Sequence, residues 1–380
     1  MRYIPTLHTA FFRYTIRVRD QLLVYLPVVS LTFLAALVLV AALTPQVERF
    51  AKRVGALQQG GGRRVHEGAV PNIGGVAIFG GLMGALLVGG LLRPALLAAY
   101  REELLAIALG GALMTLVGLF DDLWEVPALT RLACQFVAAG ILVVNGVRVD
   151  FITNYFGGSP YQFFGPVLAA LVTLVWIVGF TNAFNFIDGL DGLSSGLAAI
   201  SSLALLAVAV QLPDRGAAVL LLAALAGSAL GFLRHNYNPA KVIMGDSGAY
   251  LLGFVLAAAS VLGALKVTAA VTVAVPILIL AVPVVNLTQV TLRRLSRRRN
   301  PAEAANDHLH DLIRVRSGSK PLTVLVLWAT ALVFGVCGMT LSRTPPELIY
   351  LTIAATVVLV GGVSLLRVRE LSRARDTLGM

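Results

Sequence analysis

Apolar residues in this chain do not alternate with polar ones at a helical or strand period; they run on in long blocks, and polar residues gather between the blocks. A hydrocarbon core about 30 Å thick takes about 20 apolar residues per crossing helix, and a helix apolar on every side needs an apolar solvent. Eleven blocks have that length, at approximately 22–43, 72–92, 104–120, 132–147, 163–181, 193–212, 216–233, 248–265, 267–290, 321–341 and 348–366. None holds Asp, Glu, Lys, Arg or His before its last turn. The first is longer than a signal-peptide core and has no small-residue cleavage site, so it is expected to be retained. The pattern predicts an all-α polytopic integral membrane protein of about 11 transmembrane helices. Three parts are expected: a basic, interfacial N-terminal segment (1–21), one transmembrane domain (22–366) and a basic tail (367–380). Neither an internal repeat nor a linker divides it.

Composition agrees. With 58% hydrophobic and 13% charged residues, the chain has too little polar surface to clothe a soluble fold of 380 residues. A net charge of +11 would suit a nucleic-acid binder, but the basic residues flank the apolar blocks, so membrane rather than nucleic acid is the expected partner. Loops following odd-numbered spans, with the C-terminal tail, hold twenty Lys or Arg and the even loops six. By the positive-inside rule the odd loops and the C-terminus are cytoplasmic. Arg2, Arg13, Arg17 and Arg19 run against the rule and are read as an interfacial stretch. Cys134 and Cys337 both fall inside predicted spans and read as small apolar packers rather than a disulfide or metal pair.

The odd loops also collect the chemistry. The first reads RRVHEGAVPNIGG, where Arg63, Arg64 and His66 precede a Pro and Gly turn able to approach an anion at a helix start. The second puts Asp121 and Asp122 directly after an apolar helix, where two adjacent carboxylates repel each other and oppose the helix dipole unless a cation or donor compensates them. In the third, TNAFNFIDGLDGL, Asn182, Asn185, Asp188 and Asp191 recur every third residue, which on a helical turn places four oxygen-bearing side chains on one stripe. Hard cations such as Mg²⁺ prefer such ligands and keep waters and substrate phosphates in their shell. The spacing and the lack of a bidentate Glu exclude a calcium loop. The fourth, RHNYNPAKVIMGDSG, sets Asp246 between glycines at a helix start, with Asn236 and Lys241 nearby in sequence. The fifth carries Arg293 to Arg299 and then NDHLHD, with His308 and His310 between Asp307 and Asp311. Phosphate or sugar contact suits it better than zinc, for which a third ligand is missing.

Together these loops resemble the polyprenyl-phosphate N-acetylhexosamine-1-phosphate transferases of bacterial cell-envelope synthesis, from about Arg63 to His310, roughly two thirds of the chain. NAFNFIDGLDGL and NPAKVIMGDSG are the most specific parts of the match. The resemblance implies catalytic roles for Asp121, Asp122, Asp188, Asp191 and His308, and a metal site at Asp246 with Asn185 and Asp188. It implies substrate contacts for Arg63, Arg64, His66, Asn182, Asn236, Lys241 and His310. Implied partners are a UDP-sugar donor and a polyprenyl (undecaprenyl) phosphate acceptor; Mg²⁺ is the expected cofactor, with Mn²⁺ as the alternative, and a homodimer is compatible. The implied location is the bacterial cytoplasmic (inner) membrane, with the site facing the cytoplasm. Eleven spans look more like the branch that uses UDP-N-acetylglucosamine than the ten-span branch that makes the first peptidoglycan lipid.

The sequence departs from the family at three points. Leu123, Trp124 and Glu125 follow the acidic pair where a lysine is usual, Asn286 stands where an aspartate is expected, and Asp311 and Leu312 follow the histidines in place of histidine and arginine. The expected reaction is attack by the lipid phosphate on the β-phosphate of the donor, which needs alignment and charge neutralisation more than covalent chemistry. A phosphate monoester with a second pKa of about 6 is mostly dianionic near pH 7 and scarcely needs a base, so the acidic pair is expected to position the phosphate or the metal. A phospho-N-acetylmuramoyl-pentapeptide transferase is the nearest alternative. A transporter is disfavoured because its ionisable groups would lie at mid-membrane, and an inactive scaffold would have no reason to gather these carboxylates.

Overall fold

The computed structural model describes residues 7–58, 69–153, 161–263, 273–298 and 308–378. Fourteen helices occur among them, beginning with α1 (Leu7–Val54), α2 (Gly74–Leu92), α3 (Pro94–Ala99), α4 (Arg101–Trp124) and α5 (Ala128–Val144). They continue as α6 (Pro166–Ile187), α7 (Leu193–Val210), α8 (Gly216–Asn236), α9 (Gly245–Leu262) and α10 (Ala274–Ile279). The last are α11 (Ala281–Ser296), α12 (Leu309–Ser317), α13 (Lys320–Leu341) and α14 (Pro346–Leu378). Two small antiparallel hairpins complete the description: β1 (Leu57–Gln58) pairs with β2 (Val70–Pro71), and β3 (Phe151–Thr153) with β4 (Tyr161–Phe163).

Nine of these helices are long and apolar enough to cross a membrane, and α5, at 17 residues, is a shorter apolar helix. The expected all-α polytopic architecture holds; the count of eleven does not emerge, because two predicted spans take another form. The block at 132–147 is the short α5. The block at 267–290 is broken at Leu280 into α10 and α11. Pro283 is the cause: it has no N–H for the Ile279 carbonyl, and its ring crowds that carbonyl. Ser201 Oγ donates to the Ile279 oxygen instead, at 3.2 Å, so the orphaned acceptor is satisfied inside the bundle. The first block is the middle of the 48-residue α1, which at 1.5 Å per residue is about 70 Å long and outruns the bilayer.

Helices α7, α8 and α9 form the centre, and every residue in the most apolar window of α8 is buried. Gly227 and Gly231 lie four apart on α8, and a Cβ on either would run into the backbone of α1 at Phe33 or Leu37. This small-residue stripe lets the two helices close to backbone contact, the main source of attraction where lipid removes the hydrophobic drive. The outer helices show the reverse pattern: Leu91, Val144, Val167 and Tyr350 are exposed, as lipid-facing residues should be.

Candidate functional site

Four chain-distant segments meet where α4, α6 and α8 end and α9 begins. Gly118 lets α4 cross the first turn of α9 so closely that a Cβ there would overlap the Asp246–Ser247 backbone. Gly75 does the same from α2, against Ser247 and Gly248. The chain before α9 runs beside β2: Ile243 N–H donates to Pro71 O (2.7 Å), and Gly74 and Gly75 N–H donate to Ile243 O (3.1 Å) and Met244 O (2.9 Å). Gly245 has φ +71°, and a Cβ on it would strike Asn72 O and the Asp122 carboxylate, so the glycine in MGDSG is demanded twice over.

The acidic pair lies within the last turn of α4, not after it. The two carboxylates have separate duties. Asp122 Oδ1 accepts from Asp246 N–H (2.8 Å) and Oδ2 from Ser247 N–H (3.2 Å), capping α9 from a neighbouring helix. Asp121, almost fully buried, accepts from Val126 N–H at Oδ1 (2.8 Å), and from Arg131 Nη1 (2.5 Å) and the Tyr250 hydroxyl (3.4 Å) at Oδ2. Asp246 sits against both: its carboxyl interacts with Asp121, it is electrostatically coupled to Asp122, and its Oδ1 accepts from Asn185 Nδ2 at 2.5 Å. This compensates the costly pair by donors and one guanidinium, as its position at the membrane edge requires.

The expected stripe of Asn182, Asn185, Asp188 and Asp191 is not formed. Helix α6 stops at Ile187, Asp188 is its C-cap, and Gly192 at φ +79° turns the chain into α7. The four side chains therefore separate. Asn182 exchanges hydrogen bonds with Gln135 of α5 (2.6 and 3.4 Å), and Asn185 goes to Asp246. Asp188 is half-buried, and burial first, then the nearby Asp191, pushes its carboxyl up to about 7. Asp191 Oδ2 accepts from Asn238 Nδ2 and Ala240 N–H, both at 3.0 Å, which ties the α6–α7 turn to the α8–α9 loop. Asn236 reinforces that tie: Oδ1 accepts from Gly192 N–H (3.0 Å) and Ser195 Oγ (3.1 Å), and Nδ2 donates to Val242 O (3.0 Å). Buried among these partners, Asn236 acts on the loops and not toward open space. Lys241 is exposed at the same rim.

His308 and His310 stack with ring centroids 5.3 Å apart, and His308 meets the Phe186 ring edge-on at 5.6 Å. His310 is buried against Gly189 so tightly that its Nε2 occupies the place a Cβ would take. Asn286 Oδ1 accepts from Leu309 N–H at 2.8 Å, so the residue standing where an aspartate was expected caps α12. The histidine loop is thus fastened to the Asp188 turn. Arg63, Arg64, His66, Arg299 and Asp307 lie outside the described residues.

Three residues at this site were not singled out as functional in the sequence: Arg131, Gln135 and Tyr250. Arg131 counted only as loop charge and Tyr250 only as an apolar-span residue, although Tyr250 follows Asp246 by one helical turn and so shares its face. With Asn182, Asn185 and Phe186 they line a pocket of about 380 Å³. Leu287 is common to this pocket and to an apolar groove of about 470 Å³ between α6 and α10–α11, walled by Val172, Trp176, Phe180, Ile277 and Val284. Among the described residues no group of three or more His, Cys, Asp or Glu closes around a common point. The oxygen donors of Asp246 and Asn185 nevertheless suit a hard cation that draws its remaining ligands from water and phosphate.

Comparison with known proteins converges on the same segments. The model of the family described as Glycosyl transferase family 4 matches residues 104–264, the stretch that holds Asp121, Asp122, Asn185, Asp188 and Asp246. A Bacillus subtilis protein named "probable undecaprenyl-phosphate N-acetylglucosaminyl 1-phosphate transferase" is 31% identical over 316 residues, 82% of this chain and 85% of the relative. The decaprenyl-phosphate N-acetylglucosaminephosphotransferase of Mycobacterium tuberculosis is 33% identical over 80% of this chain and 81% of its own length. A phospho-N-acetylmuramoyl-pentapeptide-transferase of Desulforudis audaxviator is 30% identical over 82% of this chain and 96% of its own. The chain belongs to glycosyl transferase family 4, as one of its polytopic membrane sugar-1-phosphate transferases.

Proposed function

We propose that this enzyme transfers N-acetylglucosamine 1-phosphate, or a related N-acetylhexosamine 1-phosphate, from a UDP-sugar to a polyprenyl phosphate at the cytoplasmic face of a bacterial inner membrane. The observation that carries the reading is the convergence of Asp121, Asp122, Asn185 and Asp246 on one rim, with Asp188 on the turn that ends α6, next to an apolar groove open between helices. A phosphate oxygen of the acceptor attacks the donor's β-phosphorus, the bond to the bridging oxygen breaks, and UMP leaves with that oxygen. The products are UMP and a polyprenyl-diphosphate sugar. Mg²⁺ held by Asp246 with Asn185 or Asp188 would supply charge neutralisation for the diphosphate.

The chain's own groups set the geometry. Asp122 keeps the first turn of α9 against α4, so Asp246 projects from a fixed point. Asp121 is shared between Arg131 and Tyr250, an arrangement for orienting donors and not for taking a proton. Asp188, on the turn held by Asp191, Asn236 and His310, and exposed Lys241 are the groups proposed to face the nucleotide side. A pentapeptide-transferase activity is the second reading, favoured by the relative from D. audaxviator. Purified protein in lipid nanodiscs, given undecaprenyl phosphate and a panel of UDP-sugars, is expected to release UMP with UDP-N-acetylglucosamine and to stop when EDTA removes divalent ions. Release with UDP-N-acetylmuramoyl-pentapeptide alone would select the second reading, and silence toward every donor from folded protein would remove both.

A further inference from the structure

Trp328 of α13 takes no part in the reading above, yet it is fastened beneath the turn that carries Asp188 and Asp191. The indole is buried, and its Nε1 donates to Leu193 O (3.2 Å) in the first turn of α7. Gly196 makes room for it: the three atoms nearest to a Cβ placed there all belong to the indole. The ring also lies 6.1 Å from that of Tyr237, with the planes tilted by 42°. Tyr237 stands between Asn236 and Asn238, whose side chains tie the α8–α9 loop to the α6–α7 turn. One side chain thus reaches both partners of that tie. Filling space alone would require neither a hydrogen bond to the exit of the turn nor a glycine opposite the ring.

The same helix carries the histidines at its head. Helix α12, with His308 as its N-cap and His310 in its first turn, ends at Gly318 with φ +65°. Ser317, Ser319 and Thr323 close the corner into α13: Thr323 Oγ1 donates to Ser319 O (2.9 Å) and is bonded to Ser317 Oγ (2.9 Å), and Ser319 Oγ accepts from Leu322 N–H (3.4 Å). A corner bonded in this way moves as one piece with α13. Thr323 and Trp328 are about 7.5 Å apart along the helix axis, so the clamp on α7 acts close to the corner. We infer that Trp328 is a positioning residue for the transfer: through α13 it holds the histidine helix and the Asp188–Asp191 turn in register, with His310 seated against Gly189. The inference rests on the transferase reading and adds a residue, remote from the reacting atoms, that sets the spacing of two segments of the site. Each segment has its own fastening, α12 at Asn286 and the turn at Asn236 and Asn238, and keeps its shape without the indole. What fails without it is their simultaneous placement, which the transition state needs more than the ground state does.

Trp328→Phe keeps a ring and removes the N–H. In nanodiscs its kcat for UMP release should fall about three- to tenfold, the span of one net hydrogen bond, while the KM for the UDP-sugar and the KM for undecaprenyl phosphate stay at their wild-type values. Gly196→Ala, which crowds the indole and leaves its N–H intact, should give the same split. Thr330→Val, on the same helix but with its hydroxyl bonded to Val326 O of the preceding turn, should leave kcat unchanged. Action through the histidines also predicts coupling. The kcat loss of the double variant His308→Asn, Trp328→Phe should be smaller than the product of the two single losses. Hydrogen exchange supplies a readout apart from turnover: in Trp328→Phe the amides of residues 189–192 and of residues 309–313 should both exchange severalfold faster, although the lost hydrogen bond touched only the α7 end. An unchanged kcat, a rise in both KM values in step with the fall in kcat, a multiplicative double variant, or faster exchange confined to the turn overturns the assignment. Wild-type protein that releases no UMP from any donor would overturn the transferase reading instead, and joint exchange in the two segments would then leave the link through α13 standing.

Discussion

His310 shows how burial chooses a protonation state. Enclosed against Gly189, it loses hydration, and the neighbouring His308 and Arg314 add to the effect, so its imidazole is held down at about 3 from an ordinary 6.5. A neutral ring is what the stack with His308 and the contact with a backbone glycine can hold. Because the unfolded chain takes up a proton near pH 6.5 and the folded one does not, the stability that His310 confers is whole above pH 6.5 and drains away as pH falls toward 3. A variant lacking the imidazole, His310→Asn, has no such dependence. The stability gap between wild type and His310→Asn should therefore narrow by about 1 kcal/mol between pH 7 and pH 5.5; a gap independent of pH would show that the ring is solvated. Asn286 is the neutral counterpart of this choice, since its amide oxygen caps α12 without placing a carboxylate beside the same histidines.

Elements here are joined by glycines where backbone must touch backbone, and the fold makes the distinction testable. On α4, Gly118 stands where any Cβ would enter the Asp246–Ser247 backbone, whereas Gly140 on α5 has nothing within 4 Å of its Cβ position. Gly118→Ala should push α4 off the first turn of α9, cost about 1 to 3 kcal/mol, and break the Asp122 cap on which the placement of Asp246 depends. Gly140→Ala should leave stability within about 1 kcal/mol of wild type and activity intact. Thermal unfolding and UMP release measured on both variants decide it: equal behaviour would mean that the α4–α9 contact is loose. None of this was legible beforehand, because an apolar block reveals that a helix crosses lipid but not which of its faces touches which neighbour. The break at Leu280 was closer to view, since Pro276 and Pro283 are plain in the sequence; periodicity alone still read one span, for a proline says where a helix can fail and not whether its neighbours will accept the failure.

For the whole molecule, loop charge and loop chemistry pointed to one face, and contacts between distant segments agree: α4 to α9 through Asp122, α6 to α9 through Asn185, and the α6–α7 turn to the α8–α9 loop through Asp191. Asp and Asn in otherwise apolar surroundings were readable because few other roles suit them there. Arg131 and Tyr250 were not, because a single arginine in a loop looks like topology and a tyrosine in a span looks like packing. The opposite ends of the same helices carry the β3–β4 hairpin, with Phe151 and Phe163 in contact at 5.4 Å and Phe163 exposed, in the manner of an interfacial aromatic belt. This polarity makes a vectorial prediction. Lys241 and Gln162 are both exposed and lie on opposite rims. In protein whose Cys134 and Cys337 are replaced by serine, Lys241→Cys should react with a membrane-impermeant maleimide only in inside-out vesicles, and Gln162→Cys only in right-side-out cells. Labelling of both from one side would contradict the fold, while clean labelling in the reversed sense would keep the fold and place the site outside, where a cytoplasmic UDP-sugar could not reach it.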